Sequence, residues 1–116
     1  METAPNPAIG ELASVMGHDA TREIVRLFLE DFPHSLARLS GGSRDERHRI
    51  AHGLKSSALH MGARALSERM ARIEALLATE GEGVGKAEIA SAAVDFEAVA
   101  PALRAYAKVQ GPRGPA

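Results

Sequence analysis

Apolar side chains recur along this chain at intervals of three and four residues, the spacing that places them on one face of an α-helix. The clearest stripe steps by four, three and four residues and consists of Leu66, Met70, Ile73 and Leu77. Strict alternation of apolar and polar residues is hard to find, and aromatic residues make up only 3% of the chain, so helices are favoured over strands. The sequence therefore predicts an all-helical protein.

Residues that start or stop helices divide the first part of the chain into a short helix and a long one. Their apolar positions are Ile9, Leu12, Val15 and Met16, and then Ile24, Phe28, Phe32, Leu36 and Leu39. Gly17 is expected to end the first helix, Asp19 to cap the second, and Pro33 to kink it. The second helix is predicted to stop before the glycine pair at residues 41–42.

The third helix has recognisable signals at both ends. Ser43 and Glu46 have the form of a capping box, in which a side chain and a backbone amide one turn later form a hydrogen bond. Gly62 can adopt the left-handed conformation that closes a helix. The buried side between them is predicted to consist of Ile50, Leu54, Ser57, Ala58 and Met61.

Two more helices complete the pattern. The helix that contains the Leu66 stripe is expected to end near Thr79, and residues 80–86 are predicted to form a flexible connection. A last helix is expected to bend at Pro101. Its predicted apolar positions are Ile89, Ala93, Phe96, Ala100 and Leu103.

Short connections make consecutive helices fold back on one another as antiparallel neighbours. The predicted fold is an all-α, antiparallel up-down four-helix bundle with a short N-terminal helix. We expect this bundle to be one domain over residues 1–110, followed by a disordered tail over residues 111–116.

Charge and composition exclude several classes of function. Lys and Arg total 14 against 15 Asp and Glu, for a net charge of -1, so no nucleic-acid or membrane partner is expected. The absence of cysteine excludes a thiolate zinc site and a cysteine nucleophile. No signal-peptide pattern and no run of 18 apolar residues occurs, and a cytoplasmic location is expected.

The third helix carries three of the five histidines, and one of them is a candidate for chemistry. At about 100° per residue, His52 lies about 200° from Ile50 and is predicted to face water. With an ordinary pKa near 6.5, much of an exposed imidazole is neutral and nucleophilic at cytoplasmic pH, and it can accept a phosphoryl group. Lys55, one turn further on, can place its ammonium on the phosphoryl oxygens.

The neighbours of His52 are suited to contact with another protein. Ser56 and Gly53 are small and would allow a partner's phosphorylated residue to approach closely. Leu59 is an apolar residue on the polar face, which suggests a docking patch. His48 is interpreted as a surface residue that touches the docked partner.

Two other chemistries receive less support. His48 and His52 have a spacing that can bind zinc, but His60 lies too far around and along the helix to join them, so no metal site is expected. Ser56 and Ser57 could act as nucleophiles, but no Asp or Glu is expected near His52 to orient it as a base. A hydrolase triad is therefore disfavoured.

The residues around His52 resemble the signature of histidine-containing phosphotransfer (HPt) domains. Residues 51–66, AHGLKSSALHMGARAL, have a leucine two residues after the histidine, a lysine three after it, then small residues, and Gly-Ala ten and eleven after it. Residues 27–39, LFLEDFPHSLARL, resemble the family's preceding helix, and the likeness extends over about residues 19–77. Ser56 is a departure, because the family most often has glycine there, and we expect altered phosphate or partner contacts with function retained.

The resemblance implies a four-helix bundle with His52 as phospho-acceptor. Phosphoryl would pass reversibly between His52 and the aspartate of a response-regulator receiver domain. Magnesium would be supplied by the receiver, so no cofactor of the chain's own is expected. The expected partners are receiver domains and a hybrid sensor kinase.

The sequence therefore predicts a monomeric phosphocarrier in a two-component phosphorelay, without nucleotide-binding or kinase elements. Two alternatives remain open. One is a non-catalytic helical module that binds or sequesters a receiver. The other is the dimerising hairpin of a sensor kinase, although such hairpins typically have an acidic residue directly after the histidine, where this chain has Gly53.

Overall fold

The structure is a computed structural model that describes residues 4–79 and 85–108. None of these residues forms a strand, so the all-helical prediction is confirmed. The predicted tail over residues 111–116 and most of the connection over residues 80–86 lie outside the described residues. The elements are α1 (Pro7–Met16), α2 (His18–Ala37), a 3-10 turn (Arg38–Ser40), α3 (Arg44–His60), α4 (Arg64–Thr79) and α5 (Lys86–Lys108).

Side-chain contacts fix the relative direction of two helix pairs. Along α3 and α4, the Ser67 hydroxyl donates to the Lys55 carbonyl at 3.0 Å, and Glu74, further along α4, contacts the earlier residue His52. Along α2 and α5, His18 contacts Tyr106, and Phe32 stacks on the earlier residue Phe96 with ring centroids 5.2 Å apart. Both pairs therefore run antiparallel.

The core consists of the apolar faces that the sequence pattern predicts, with two corrections. All four residues of the Leu66 stripe on α4 are fully buried. Ser57 was predicted to be buried on α3, but it is exposed, and Ala51 is buried instead. Likewise Ala93 on α5 is exposed and Ala92 is buried.

The correction on α3 has a packing cause. This helix packs more extensively on α4 than on α2, and its small residues Ala51 and Ala58 are fully buried. Its buried face is rotated by about 30° towards these alanines, at about 100° per residue. Ser57 is thereby turned out of the core, and Ile50 is only partly buried.

The helix ends follow the predicted signals except at the start of α2. Gly17 ends α1 with a φ of 88°, and the Ser43 hydroxyl accepts a hydrogen bond from the Glu46 amide at 3.1 Å. The prediction that Asp19 caps α2 is wrong, because Gly17 occupies the cap and Asp19 lies in the first turn. One glycine ends α1 and begins α2, which leaves no room for a separate capping residue. The helix also continues through Pro33.

The turn between α3 and α4 sets how these helices face each other. Gly62 has a φ of 77°, its amide donates to the Leu59 carbonyl at 3.0 Å, and the Ala63 amide donates to the Ala58 carbonyl at 2.9 Å. This pattern of two bonds is a Schellman motif. The Asn6 side chain donates to the Met61 carbonyl at 2.9 Å, so the start of α1 is fastened to the turn.

Candidate functional site

His52 lies in the middle of α3 and faces solvent. Its side chain is 62% exposed, as the helical wheel predicts, while Ala51 and Leu54 on the reverse face are buried. The next residue, Gly53, has nothing within 4 Å of the position that a Cβ would occupy. A rigid helix therefore presents the imidazole beside open space.

Glu74 on α4 is the residue of this site that sequence reasoning missed. One of its carboxylate oxygens, Oε2, lies 2.7 Å from Nδ1 of His52 and 3.7 Å from Nε2 of His48. The other, Oε1, lies 2.8 Å from Nζ of Lys55. The expectation that no acidic residue is near His52 is therefore wrong. Three basic side chains of α3 meet at one carboxylate of α4.

The topology of the fold explains why the sequence did not predict Glu74 beside His52. Glu74 follows His52 by 22 residues, so proximity along the chain gives no sign of the contact. The helices are antiparallel, and residues at similar distances from the turn at Gly62 face each other. His52 precedes this glycine by about as many residues as Glu74 follows it. That spacing is a signal from which the pair could have been found.

The charge on Glu74 decides which nitrogen of His52 is available. The hydrogen bond from Lys55 lowers the pKa of the Glu74 carboxyl, against a rise caused by burial, and the hydrogen bond to His52 lowers it further. Glu74 is therefore a carboxylate at neutral pH, and a carboxylate can only accept hydrogen bonds. Nδ1 of His52 must then carry a proton and donate the hydrogen bond to Glu74. In the neutral ring, the lone pair is on Nε2.

The other site residues predicted from the sequence lie on the same helix. Lys55 is 34% exposed, and its ammonium contacts Glu74 rather than standing alone beside His52. His48, one turn before His52, is 41% exposed. Ser56 is partly buried, and Leu59 is 59% exposed. The structure thus brings His48, His52 and Lys55 together at Glu74, with the other two further along α3.

A cleft of about 430 Å³ lies between α2 and α3. On the helical wheel of α3, its lining residues Arg49 and Gly53 lie on the opposite side of His52 from Lys55, which contacts Glu74. The apolar lining of the cleft includes Ile24, Phe28 and Leu54, and Gly53 lies at its α3 side. The charged residues Asp31 and Arg49 also line it. Sequence reasoning did not identify this cleft, because it depends on the packing of two helices.

Two further observations concern metals and membranes. Within residues 4–79 and 85–108, no group of three His, Cys, Asp or Glu side chains is arranged to hold a metal ion. None of the helices in this part of the chain is both long enough and apolar enough to cross a bilayer.

Comparison with known proteins assigns the family. No curated protein and no solved structure matches the chain. The family model of the Hpt domain matches residues 23–108, which include α3, α4 and α5 and about three quarters of α2. This match covers most of the chain and contains His52, Lys55 and Glu74. The chain therefore belongs to the Hpt domain family, which has a phosphotransfer role in two-component signalling.

Proposed function

We propose that this protein is a phosphorelay intermediate in which His52 accepts a phosphoryl group from a receiver-domain aspartate and passes it to another receiver. The observation that carries the proposal is the hydrogen bond from Nδ1 of His52 to Glu74, at 2.7 Å. Because this bond keeps the proton on Nδ1, the lone pair of Nε2 can act as the nucleophile, and the ring is exposed to solvent. Membership of the Hpt family supports the same role.

The transfer of the phosphoryl group to His52 needs no external base. The Nε2 lone pair attacks the phosphorus of the aspartyl phosphate in line, a bond between nitrogen and phosphorus forms, and the bond from phosphorus to the aspartate oxygen breaks. The aspartate leaves as a carboxylate. The His52 ring keeps its Nδ1 proton and becomes positively charged, and the Glu74 carboxylate balances that charge. The reverse step returns the phosphoryl to a receiver.

Lys55 is proposed to compensate the negative charge of the phosphoryl group. Its ammonium is 2.8 Å from Glu74, next to the acceptor ring, and its flexible stem lets it turn towards phosphoryl oxygens. Because an acyl phosphate is already activated, positioning and charge compensation suffice for the transfer. The protein is therefore proposed to be a phosphocarrier and not a kinase.

The receiver is proposed to dock on the exposed face of α3. His48, Ser56 and Leu59 surround His52 along this face, and Leu59 offers apolar surface. Magnesium is expected to come with the receiver, and no cofactor of this chain is invoked. The phosphoryl donor is proposed to be a receiver domain, such as the receiver domain of a hybrid sensor kinase. The transfer is proposed to take place in the cytoplasm.

The number of helices favours a monomer over a dimerising kinase hairpin. Such a hairpin supplies two helices and needs a second copy to complete a four-helix bundle. Here α2, α3, α4 and α5 are four long helices of one chain. Size-exclusion chromatography is expected to give the mass of a single chain.

The test is transfer from receivers labelled with radioactive phosphate. The protein is incubated with a panel of phosphorylated receivers from the same organism and scored for acid-labile label. Label is expected on the unaltered protein and on His34→Gln, which changes an exposed histidine of α2, and none on His52→Gln with the same circular dichroism spectrum. Label that persists on His52→Gln would contradict the proposal. Binding of a receiver without any label would favour the sequestering module.

A further inference from the structure

The two nitrogens of the His52 ring face different surroundings. Nδ1 is directed at Glu74 on α4, and the two ring nitrogens point away from each other. Nε2 therefore faces away from Glu74, and the residues of α3 on the side of His52 away from Glu74 border the cleft with α2. A phosphoryl group on Nε2 would enter this side.

Arg49 is a basic residue on that side, one turn before His52. Helical side chains lean towards the N-terminus of their helix, so the His52 ring lies over the preceding turn, which contains His48 and Arg49. His48 lies on the side of His52 that faces Glu74, and its Nε2 is 3.7 Å from the Glu74 carboxylate. Arg49, three residues before His52, lines the cleft together with Gly53.

The charge of Arg49 is not neutralised by the part of the protein that the structure describes. Its side chain is exposed, and among residues 4–79 and 85–108 it has no ion-pair or hydrogen-bond partner. Asp31 lines the same cleft without coming within ion-pair distance. Lys55, by contrast, is 2.8 Å from Glu74. Arg49 is therefore available to an incoming anion, whereas Lys55 already contacts Glu74.

We infer that Arg49 is a second phosphoryl-binding residue, which contacts the phosphoryl group while Nε2 of His52 carries it. The planar guanidinium presents parallel N–H donors that match two oxygens of a phosphate. Gly53 leaves the space beside the ring open, so this contact does not block a receiver. The inference rests on the proposed function, and it adds Arg49 to Lys55 as a second cation that contacts the phosphoryl group.

The test loads the protein with phosphoramidate, a small phosphodonor that needs no docking surface. Nε2 displaces ammonia from phosphorus, so the bond between nitrogen and phosphorus in the donor breaks as the new one forms. The pKa of the protein-bound phosphoryl is then followed by ³¹P NMR as the pH is varied. Arg49→Ala, Arg49→Lys and the unaltered protein are compared. The matched control is Arg44→Ala, which removes an exposed arginine from the first turn of the same helix.

A cation in contact with the phosphoryl favours its dianion and lowers its pKa. Arg49→Ala is therefore expected to raise this pKa by about half a pH unit and to slow loading about threefold, as for an exposed contact. Arg49→Lys is expected to restore most of the pKa shift, and Arg44→Ala to leave both quantities unchanged. A merely structural role for Arg49 would not move the phosphoryl pKa.

The outcomes separate this inference from the proposed function. If the unaltered protein is loaded and His52→Gln is not, but Arg49→Ala behaves like Arg44→Ala, the role of Arg49 is overturned and the role of His52 stands. If His52→Gln is loaded as well as the unaltered protein, or neither is loaded, the proposed function fails and the inference fails with it.

Discussion

The contact between Glu74 and His52 leads to the sharpest prediction, for the substitution Glu74→Gln. The amide keeps the shape of the side chain and an oxygen that can accept a hydrogen bond from Nδ1–H, but it removes the negative charge. The ion pair with Lys55, at 2.8 Å, is lost at the same time. What remains is an oriented ring without a counter-charge.

The expected size follows from the charge that develops on the ring. At the transition state, about half of a unit positive charge at about 4 Å from the carboxylate, with an effective dielectric constant of about 20, is stabilised by about 2 kcal/mol. The His52 side chain is 62% exposed, and water and salt weaken the interaction. We therefore expect a loss of about 1 to 2 kcal/mol, or a rate lower by about 5-fold to 30-fold.

The assay is single-turnover transfer of phosphoryl from a phosphorylated receiver, followed by rapid quenching. Glu68→Gln is the matched control, because Glu68 is an exposed acid on the same helix. Circular dichroism establishes that both variants are folded. A Glu74→Gln rate equal to that of Glu68→Gln would refute the view that the carboxylate balances the charge on the ring.

Three further predictions concern stability, pH and Lys55. Gly62→Ala is expected to lower the free energy of unfolding by more than about 1 kcal/mol, because of the positive φ and because a Cβ would overlap the Asn6 side chain. Gly53→Ala is expected to raise the free energy of unfolding by about 0.5 to 1 kcal/mol, because alanine favours the helix and its Cβ would meet nothing. Urea unfolding measures both changes. The pKa of Glu74 is lowered in the fold, so its contribution to stability is fully present above the ordinary value of 4.5 and is lost as the pH falls through the folded value. Urea midpoints between neutral and acid pH should therefore fall less steeply for Glu74→Gln, and an unchanged slope would contradict the pairing. Lys55→Ala is expected to slow transfer about tenfold, as a loss of 1 to 2 kcal/mol requires, and an unchanged rate would remove it from the site.

Local signals in the sequence predicted most of the fold. The stripe from Leu66 to Leu77, the Ser43 cap and the Gly62 turn each depend on residues within a few positions of one another. The prediction failed where contacts between neighbouring helices determine which residues are buried or which residue caps a helix. Packing on α4 turned Ser57 out of the core, and the merging of two helix ends at Gly17 removed the cap from Asp19.

The part of the site that lies on one helix could be predicted from the sequence, and the part contributed by a second helix could not. The exposure of His52 follows from the period of one helix, and the position of Lys55 follows from the same period. The carboxylate of Glu74 belongs to another helix, and its place opposite His52 depends on the turn that closes the hairpin. The availability of Arg49 depends on which side of the ring Glu74 occupies, so it could not be predicted before that contact was known.

The central claim is that Nε2 of His52 is the atom that carries the phosphoryl group. It is tested most directly by NMR of protein with ¹⁵N-labelled histidine, after loading from a phosphorylated receiver. We predict ³¹P coupling to Nε2 of His52, with a proton still on Nδ1. Phosphorus on Nδ1, or on any other histidine, would contradict the account.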